Sequence, residues 1–307
     1  MSGRNERDVW RKRLCNNRDG HERYYALARN LLRTYRCFTN EAVPFAIIAD
    51  RENEYTAEFD HVIVISDASN SYNDKLKLFR DLPYEETIFI DADSLAYGNL
   101  NAWWDIFQTG GDFSLFGYAW RDLNCGRGWF VPSGMKEYQK DIMFIPDFNG
   151  GVYYMCNTET CGRVFEIANH CAAHYHDYKF NSFAEPADEP VIALGMAVCG
   201  FEPFDIPGEL VFAPPRKKLD ADISVPRAVF HPSADRSYPV RLIHFSNYRA
   251  QLSFYRNEVI KIGKKCGRVD GMQYDMPNRL RRGLLCISDS VPFGKRVIRK
   301  AKRVLHL

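Results

Sequence analysis

Apolar positions along the chain alternate between helical spacing and short continuous runs. In "RYYALARNLLRTYRCF" (23–38), Tyr24, Leu27, Leu31, Leu32 and Tyr35 recur at the helical period, which predicts a helix with one face packed on a sheet. "PFAIIAD" (44–50) and "HVIVIS" (61–66) are β-branched apolar runs, predicting parallel strands buried on both faces. "SYNDKLKLFRDL" (71–82) places Leu76, Phe79 and Leu82 on one helical face, and "TIFI" (87–90) predicts a third strand. Helices alternating with apolar strands indicate an α/β layered domain.

The middle of the chain is less periodic. Residues 117–147 mix Gly, Pro and aromatics and read as a long loop or lid over a site rather than sheet. "FNGGVYYM" (148–155) returns to strand composition, and "ETCGRVFEIANHCAAHYHDY" (159–178) is mainly helical. "AEPADEPVIALGMAVCG" (184–200) predicts a polar turn and then a helix, and "VRLIHFS" (240–246) a late strand.

Two carboxylates, Asp91 and Asp93, follow "TIFI" directly. In extended chain, side chains at i and i+2 share one side, so the pair can converge at a strand end, where open α/β sheets bind ligands. Converging carboxylates repel unless a proton or cation lies between them, and hard oxygen ligands suit Mg²⁺ or Mn²⁺ carrying a diphosphate. The alternative is that one Asp caps the next helix while the other is solvated. His244 closes the strand "RLIH" and completes a reasonable metal set, although a histidine there can equally be a satisfied core residue.

The order "TIFIDADSLAYGNL", "FNGGVYYM", "LIHFS" resembles the nucleotide-sugar glycosyltransferases of the GT-A fold, and most of all glycosyltransferase family eight, over roughly residues 21–250. The resemblance implies a Rossmann-like, mostly parallel central sheet flanked by helices, with residues 1–255 as the transferase domain and 256–307 as a C-terminal extension. It implies metal ligation by Asp91, Asp93 and His244, and a donor site containing Asp91, Ala92, Asp93, Gly150 and Gly151. It also places Asn149 beside the donor sugar, where a tight turn before a strand is the other reading. At Asp188 it implies positioning of the donor sugar or acceptor, with Glu189 as competitor; Asp188 can instead cap the helix that Pro190 begins. The family's His-x-x-Gly-x-x-Lys segment is altered here, with Asn247 at the glycine position, Ala250 at the lysine position and Arg249 as a substitute cation. Family members open with an apolar strand, for which the only counterpart here is the polar "RKRLCNN".

The implied activity is metal-dependent transfer of a sugar, with retention, from a UDP-sugar or similar donor to a glycan or lipid-linked acceptor in surface polysaccharide synthesis. The alternative is an inactive relative that binds carbohydrate or acts as a scaffold. A sugar nucleotidyltransferase is disfavoured because no Gly-rich phosphate loop follows an early strand.

Composition adds little that is specific. Forty-one Lys and Arg against 39 Asp and Glu leave a net charge of +2, which points to neither nucleic acid nor a membrane. Nine cysteines without paired spacing suit free thiols, so a cytoplasmic setting is expected. No apolar leader is visible in the first 25 residues. "NHCAAHYHDY" groups His170, Cys171, His174 and His176 without a second ligand group of zinc spacing, and reads as a polar helix face. Trp120 and Trp129 in the long loop are candidates for stacking on an acceptor sugar. The last fourteen residues, 294–307, hold six Lys or Arg with apolar residues at helical spacing, a pattern that can lie peripherally on an anionic membrane.

Overall fold

The computed structural model describes residues 18–39, 43–69, 71–181, 185–213, 221–223, 227–233, 236–246 and 253–266. The polar "RKRLCNN", Asn247, Arg249 and the basic segment 294–307 lie outside the described residues.

Helix α1 (Arg18–Phe38) is followed by strands β1 (Ala46–Ala49) and β2 (His61–Val64), which pair in parallel. A ten-residue 3-10 helix, Tyr72–Asp81, leads into β3 (Glu86–Ile90). Ser71 and Asp74 close a capping box at its start, satisfying the end of an otherwise short and weak helix. Then come β4 (Ser94–Ala96), α2 (Ala102–Phe107), β5 (Phe113–Ser114), β6 (Gly117–Trp120), β7 (Ile145–Phe148) and β8 (Val152–Cys156). Helices α3 (Glu159–Ala173) and α4 (Asp188–Cys199) pack on each other and precede β9 (Leu210–Phe212), β10 (Ala221–Asp222), β11 (Ala228–Ser233), β12 (Arg236–Val240), β13 (Leu242–His244) and α5 (Ser253–Lys265).

The architecture is mixed α/β with open sheets, in which alternate side chains of the central strands feed two cores. Ile47, Ala49, Ile88, Ile90, Val152 and Tyr154 join a core built with α1 and with Trp103 and Phe107 of α2. That core continues through α5, whose Tyr255, Val259 and Ile262 are fully buried. Ile48, Phe89, Tyr153 and Met155 face a second core, built with α3, α4 and the 123–148 region. Strands covered on both faces need apolar residues at every position, which is why these runs do not alternate.

The sheet is less parallel than expected. β1–β2 and β13–β9 are parallel, while β3–β8, β5–β8, β4–β13 and β6–β7 are antiparallel. Burial on both faces produces the same apolar composition whichever way the neighbour runs, so the run alone could not decide. Residues 117–147 also differ from a plain loop. Their two ends form the β6–β7 ribbon, and only the span between is irregular, broken by 3-10 turns at Pro132–Gly134 and Lys136–Asp141. Two prolines and four glycines within 117–147, Gly117 and Pro146 in the strands themselves, hide these short strands.

No disulfide joins two of the described cysteines, and no helix among the described residues is long and apolar enough to cross a membrane. Trp103 is wholly buried and donates its indole N–H to Glu209, 2.6 Å away.

Candidate active site

Asp91, Ala92 and Asp93 form the turn joining β3 to β4, closed by Ser94 N–H donating to the Asp91 carbonyl at 3.1 Å. The two carboxylates therefore converge through this turn rather than through the pleat of an extended strand. β13 runs beside β4 and sets His244 opposite Ser94. The imidazole Nε2 lies 3.1 Å from Asp93 Oδ1 and 3.5 Å from Asp91 Oδ2. Among the described residues these three are the one group whose ligating atoms lie within 4.8 Å of one another, and His170, Cys171, His174 and His176 form no such group.

These spacings fit an octahedral divalent ion. Ligands about 2.1 Å from such an ion and at right angles lie about 3 Å apart. Asn149 supplies the remaining requirement, because its Oδ1 accepts from His244 Nδ1, so that an ion displacing the proton Nε2 shares with Asp93 would meet the Nε2 lone pair. The amide is held in turn by Nδ2 donating to Glu189 Oε1 at 3.4 Å.

The glycines after Asn149 are fixed by crowding. A β-carbon on Gly151 would stand 2.6 Å from His244 Nδ1, and one on Gly150 would stand 2.5 Å from the Tyr153 hydroxyl and 2.8 Å from Asp188 Oδ2. "NGG" lets this strand start pass directly beneath the site's side chains.

A second group of charges adjoins the first. Asp188 and Glu189 open α4, where the helix dipole favours carboxylates. Asp188 makes no cap hydrogen bond; Ala187 occupies the cap position. Instead, Asp188 Oδ2 accepts from the Tyr153 hydroxyl at 3.0 Å and lies 3.1 Å from Lys75 Nζ. Lys75 also donates to Asp91 Oδ2 and to the Gly150 carbonyl, both at 2.8 Å. Its ammonium thus joins the two carboxylate groups. Glu189 Oε1 accepts from Gly150 N–H at 2.8 Å, and of the two acids only Glu189 keeps part of its surface open.

Lys75 and Tyr153 were not apparent in the sequence. A lysine beside apolar residues on an amphipathic helix has the same local pattern as a solvated one, and Tyr153 stands in an unbroken apolar strand. Only the packing of Tyr72–Asp81 against α3 and α4, on the same side of the sheet as Tyr153, brings both to Asp188.

The electrostatics show an excess of negative charge: Asp91, Asp93, Asp188 and Glu189 share one ammonium and one imidazole. Burial raises the Asp91 carboxyl, outweighing the opposing pull of Lys75 and His244. Burial also works to raise Asp93, but the His244 hydrogen bond and charge hold it below the usual carboxylate range. Burial lowers His244, yet the Asp93 hydrogen bond and the charges of Asp93 and Asp91 leave it raised. Lys75 loses hydration on burial, but Asp188 and then Asp91 hold its pKa above that of a free lysine. The Tyr153 phenol is pushed well up, by burial first and then by Asp188.

Glu189 is raised from 4.5 to about 7, by burial first and then by Asp188, against the Gly150 N–H. Between those pH values the folded state holds a proton that the unfolded chain has released, so stability falls as pH rises through that window and is level above it. Glu189→Gln keeps an oxygen for Gly150 N–H and removes the titration. In EDTA at pH 8 it should stabilise the fold by up to about 3 kcal/mol, a gain that disappears toward pH 4. Thermal melts of both proteins across that range check it.

No protein-family model and no curated protein matches the chain. Among solved structures, a crystal structure of galactosyltransferase LgtC in complex with donor and acceptor sugar analogues is similar, with a TM-score of 0.48 at 12% identity, covering 85% of this chain and 96% of that one. An active-site mutant of LgtC is similar with a TM-score of 0.46 at 12% identity, covering 79% and 92%.

Proposed function

We infer that the chain is a metal-dependent glycosyltransferase of GT-A type that takes its sugar from a nucleotide diphosphate donor, with a UDP-sugar the first candidate. The observation carrying this reading is the set Asp91, Asp93 and His244, spaced for a six-coordinate Mn²⁺ or Mg²⁺ and with the imidazole held from its Nδ1 side by Asn149. The motif order that resembles family eight supports transfer over other diphosphate chemistry, and it implies retention at the anomeric carbon.

Bound there, the ion would supply Lewis-acid neutralisation of charge on the departing diphosphate. The chain's own groups prepare the site around it. Asn149 holds His244, and Lys75 holds Asp91 against Asp188 so that carboxylate directions are set before any ligand arrives. Glu189, titrating near neutral pH, can either accept from or donate to a sugar hydroxyl at the mouth of the cluster. A glycan or lipid-linked acceptor in surface polysaccharide synthesis is the matching second substrate.

Calorimetry with UDP tests the reading. Binding should appear with Mn²⁺ and fall at least tenfold in EDTA, and a panel of UDP-sugars followed by NMR should show metal-dependent release of UDP with the sugar's anomeric configuration kept. UDP binding that ignores the metal, or no binding at all, would sink the proposal and favour a carbohydrate-binding relative without catalysis.

A further inference from the structure

The β6–β7 ribbon links the metal-ligating cluster to an aromatic surface that none of the chemistry above uses. In its register Tyr118 pairs with Asp147 and Trp120 with Ile145, so these four side chains share one face. Asn149, which holds His244, follows Asp147 by two residues, a rise of about 7 Å in extended chain. The ribbon face therefore begins at the cluster and leads away from it.

What it presents is a fixed aromatic pair. The Tyr118 and Trp120 rings are 4.4 Å apart between centroids, tilted by 56°. The Trp120 indole N–H donates to Asp147 Oδ2 at 3.0 Å, which pins the ring, and the Arg127 guanidinium sits 5.0 Å from the ring centroid. Tyr118 is nevertheless 44% exposed, unusual for a large aromatic on a paired strand. Asp147 Oδ1 has no hydrogen-bond partner among the described residues. Beyond Trp120 opens a cavity of about 340 Å³ whose lining includes Asn124, Arg127, Ser133, Gln139 and Ile145, within the roughly 300–1,000 Å³ usual for small-ligand sites.

We propose that this face is the acceptor subsite and that it takes a neutral oligosaccharide, with one pyranose ring stacked on Tyr118 and Trp120 and the next entering the cavity beside Arg127. The proposal rests on the glycosyltransferase reading of the cluster. A sugar ring offers an apolar face of C–H groups and a rim of hydroxyls, and the surface supplies the matching parts: two aromatic planes, one free carboxylate oxygen, and amide, hydroxyl and guanidinium groups in the cavity. A phosphate would meet the Asp147 carboxylate, so the charge pattern disfavours a nucleotide here. The reacting hydroxyl of a chain lying on this face would point toward Asn149 and the metal-ligating group.

Saturation-transfer NMR on the full chain with maltose, lactose, cellobiose and N-acetyllactosamine, each with and without UDP and Mn²⁺, tests this. At least one sugar should receive saturation, with affinity at least tenfold weaker in Trp120→Ala and in Tyr118→Ala. Tyr118→Ala guards against a folding defect, because that ring is largely exposed. UDP affinity in the presence of Mn²⁺, titrated in the same samples, should change less than twofold. No saturation of any sugar, sugar binding undiminished in both variants, or an equal loss of UDP affinity would each overturn the proposal. Wild-type protein that binds sugar but not UDP would keep the subsite as a carbohydrate-binding face and remove its acceptor role together with the transferase reading.

Discussion

Asp93→Ala is expected to lower metal-dependent turnover of a UDP-sugar by about 10³-fold, equivalent to about 4 kcal/mol of transition-state stabilisation. Asp93 is the most enclosed of the two turn carboxylates, 9% exposed, and it faces His244 Nε2 at 3.1 Å. Its loss removes one ligand and also the partner that keeps His244 aligned. The same variant should need far more Mn²⁺ to restore UDP binding, because one charge of the ligand set has gone. Because Asp93 titrates below its unfolded value, the ionised group also stabilises the fold above about pH 4, and that contribution fades as pH falls through its folded pKa. The variant's stability deficit should therefore shrink in acid. Turnover against Mn²⁺ concentration, with urea melts at pH 7 and pH 3, checks both parts. Activity within tenfold of wild type at saturating Mn²⁺ would exclude Asp93 from the metal's ligand set.

The proposed metal ligands, and the Asn149 that holds one of them, could be read from the sequence because each sits where a local pattern ends: Asp91 and Asp93 after an apolar run, Asn149 before two glycines, His244 at the close of "RLIH". What brings them together, however, was not local. The turn at Asp91–Asp93 follows from β4 pairing with β13, two segments some 150 residues apart. Strand direction was likewise hidden, since Ile88 and Phe89 are apolar because cores lie on both sides, whatever their neighbour's orientation. The β6–β7 ribbon escaped notice because its strands are four residues long and bounded by a segment whose glycines and prolines dominate the composition. "FNGGVYYM" read as strand after its two glycines, and β8 does begin at Val152; what the sequence hid is that Phe148 ends a different strand, β7, so that the turn between the two is where the site forms.

Lys75 carries the second large effect, and its role depends on charge balance rather than on any motif. Its Nζ lies within 3.1 Å of both Asp91 and Asp188, with side-chain exposures of 17% for Lys75 and Asp91 and 4% for Asp188. Lys75→Met keeps the length of the stem and removes the charge, leaving two buried carboxylates facing each other. Breaking an enclosed ion pair from one side costs about 3–5 kcal/mol, and that loss is expected in urea melts run in EDTA. The folded pKa of Lys75 is raised, so its contribution is fully present below the unfolded value near 10.4 and is lost only as pH rises through the higher folded value. The deficit should accordingly be constant across the neutral range. Millimolar Mn²⁺ should narrow it, because a divalent ion beside Asp91 supplies part of the missing positive charge. Turnover should remain about 10²-fold low even then, since the metal cannot hold Asp188 in place. If the methionine variant melts like wild type in EDTA, the bridge contributes nothing net. If Mn²⁺ leaves the deficit unchanged, the ion does not bind at Asp91.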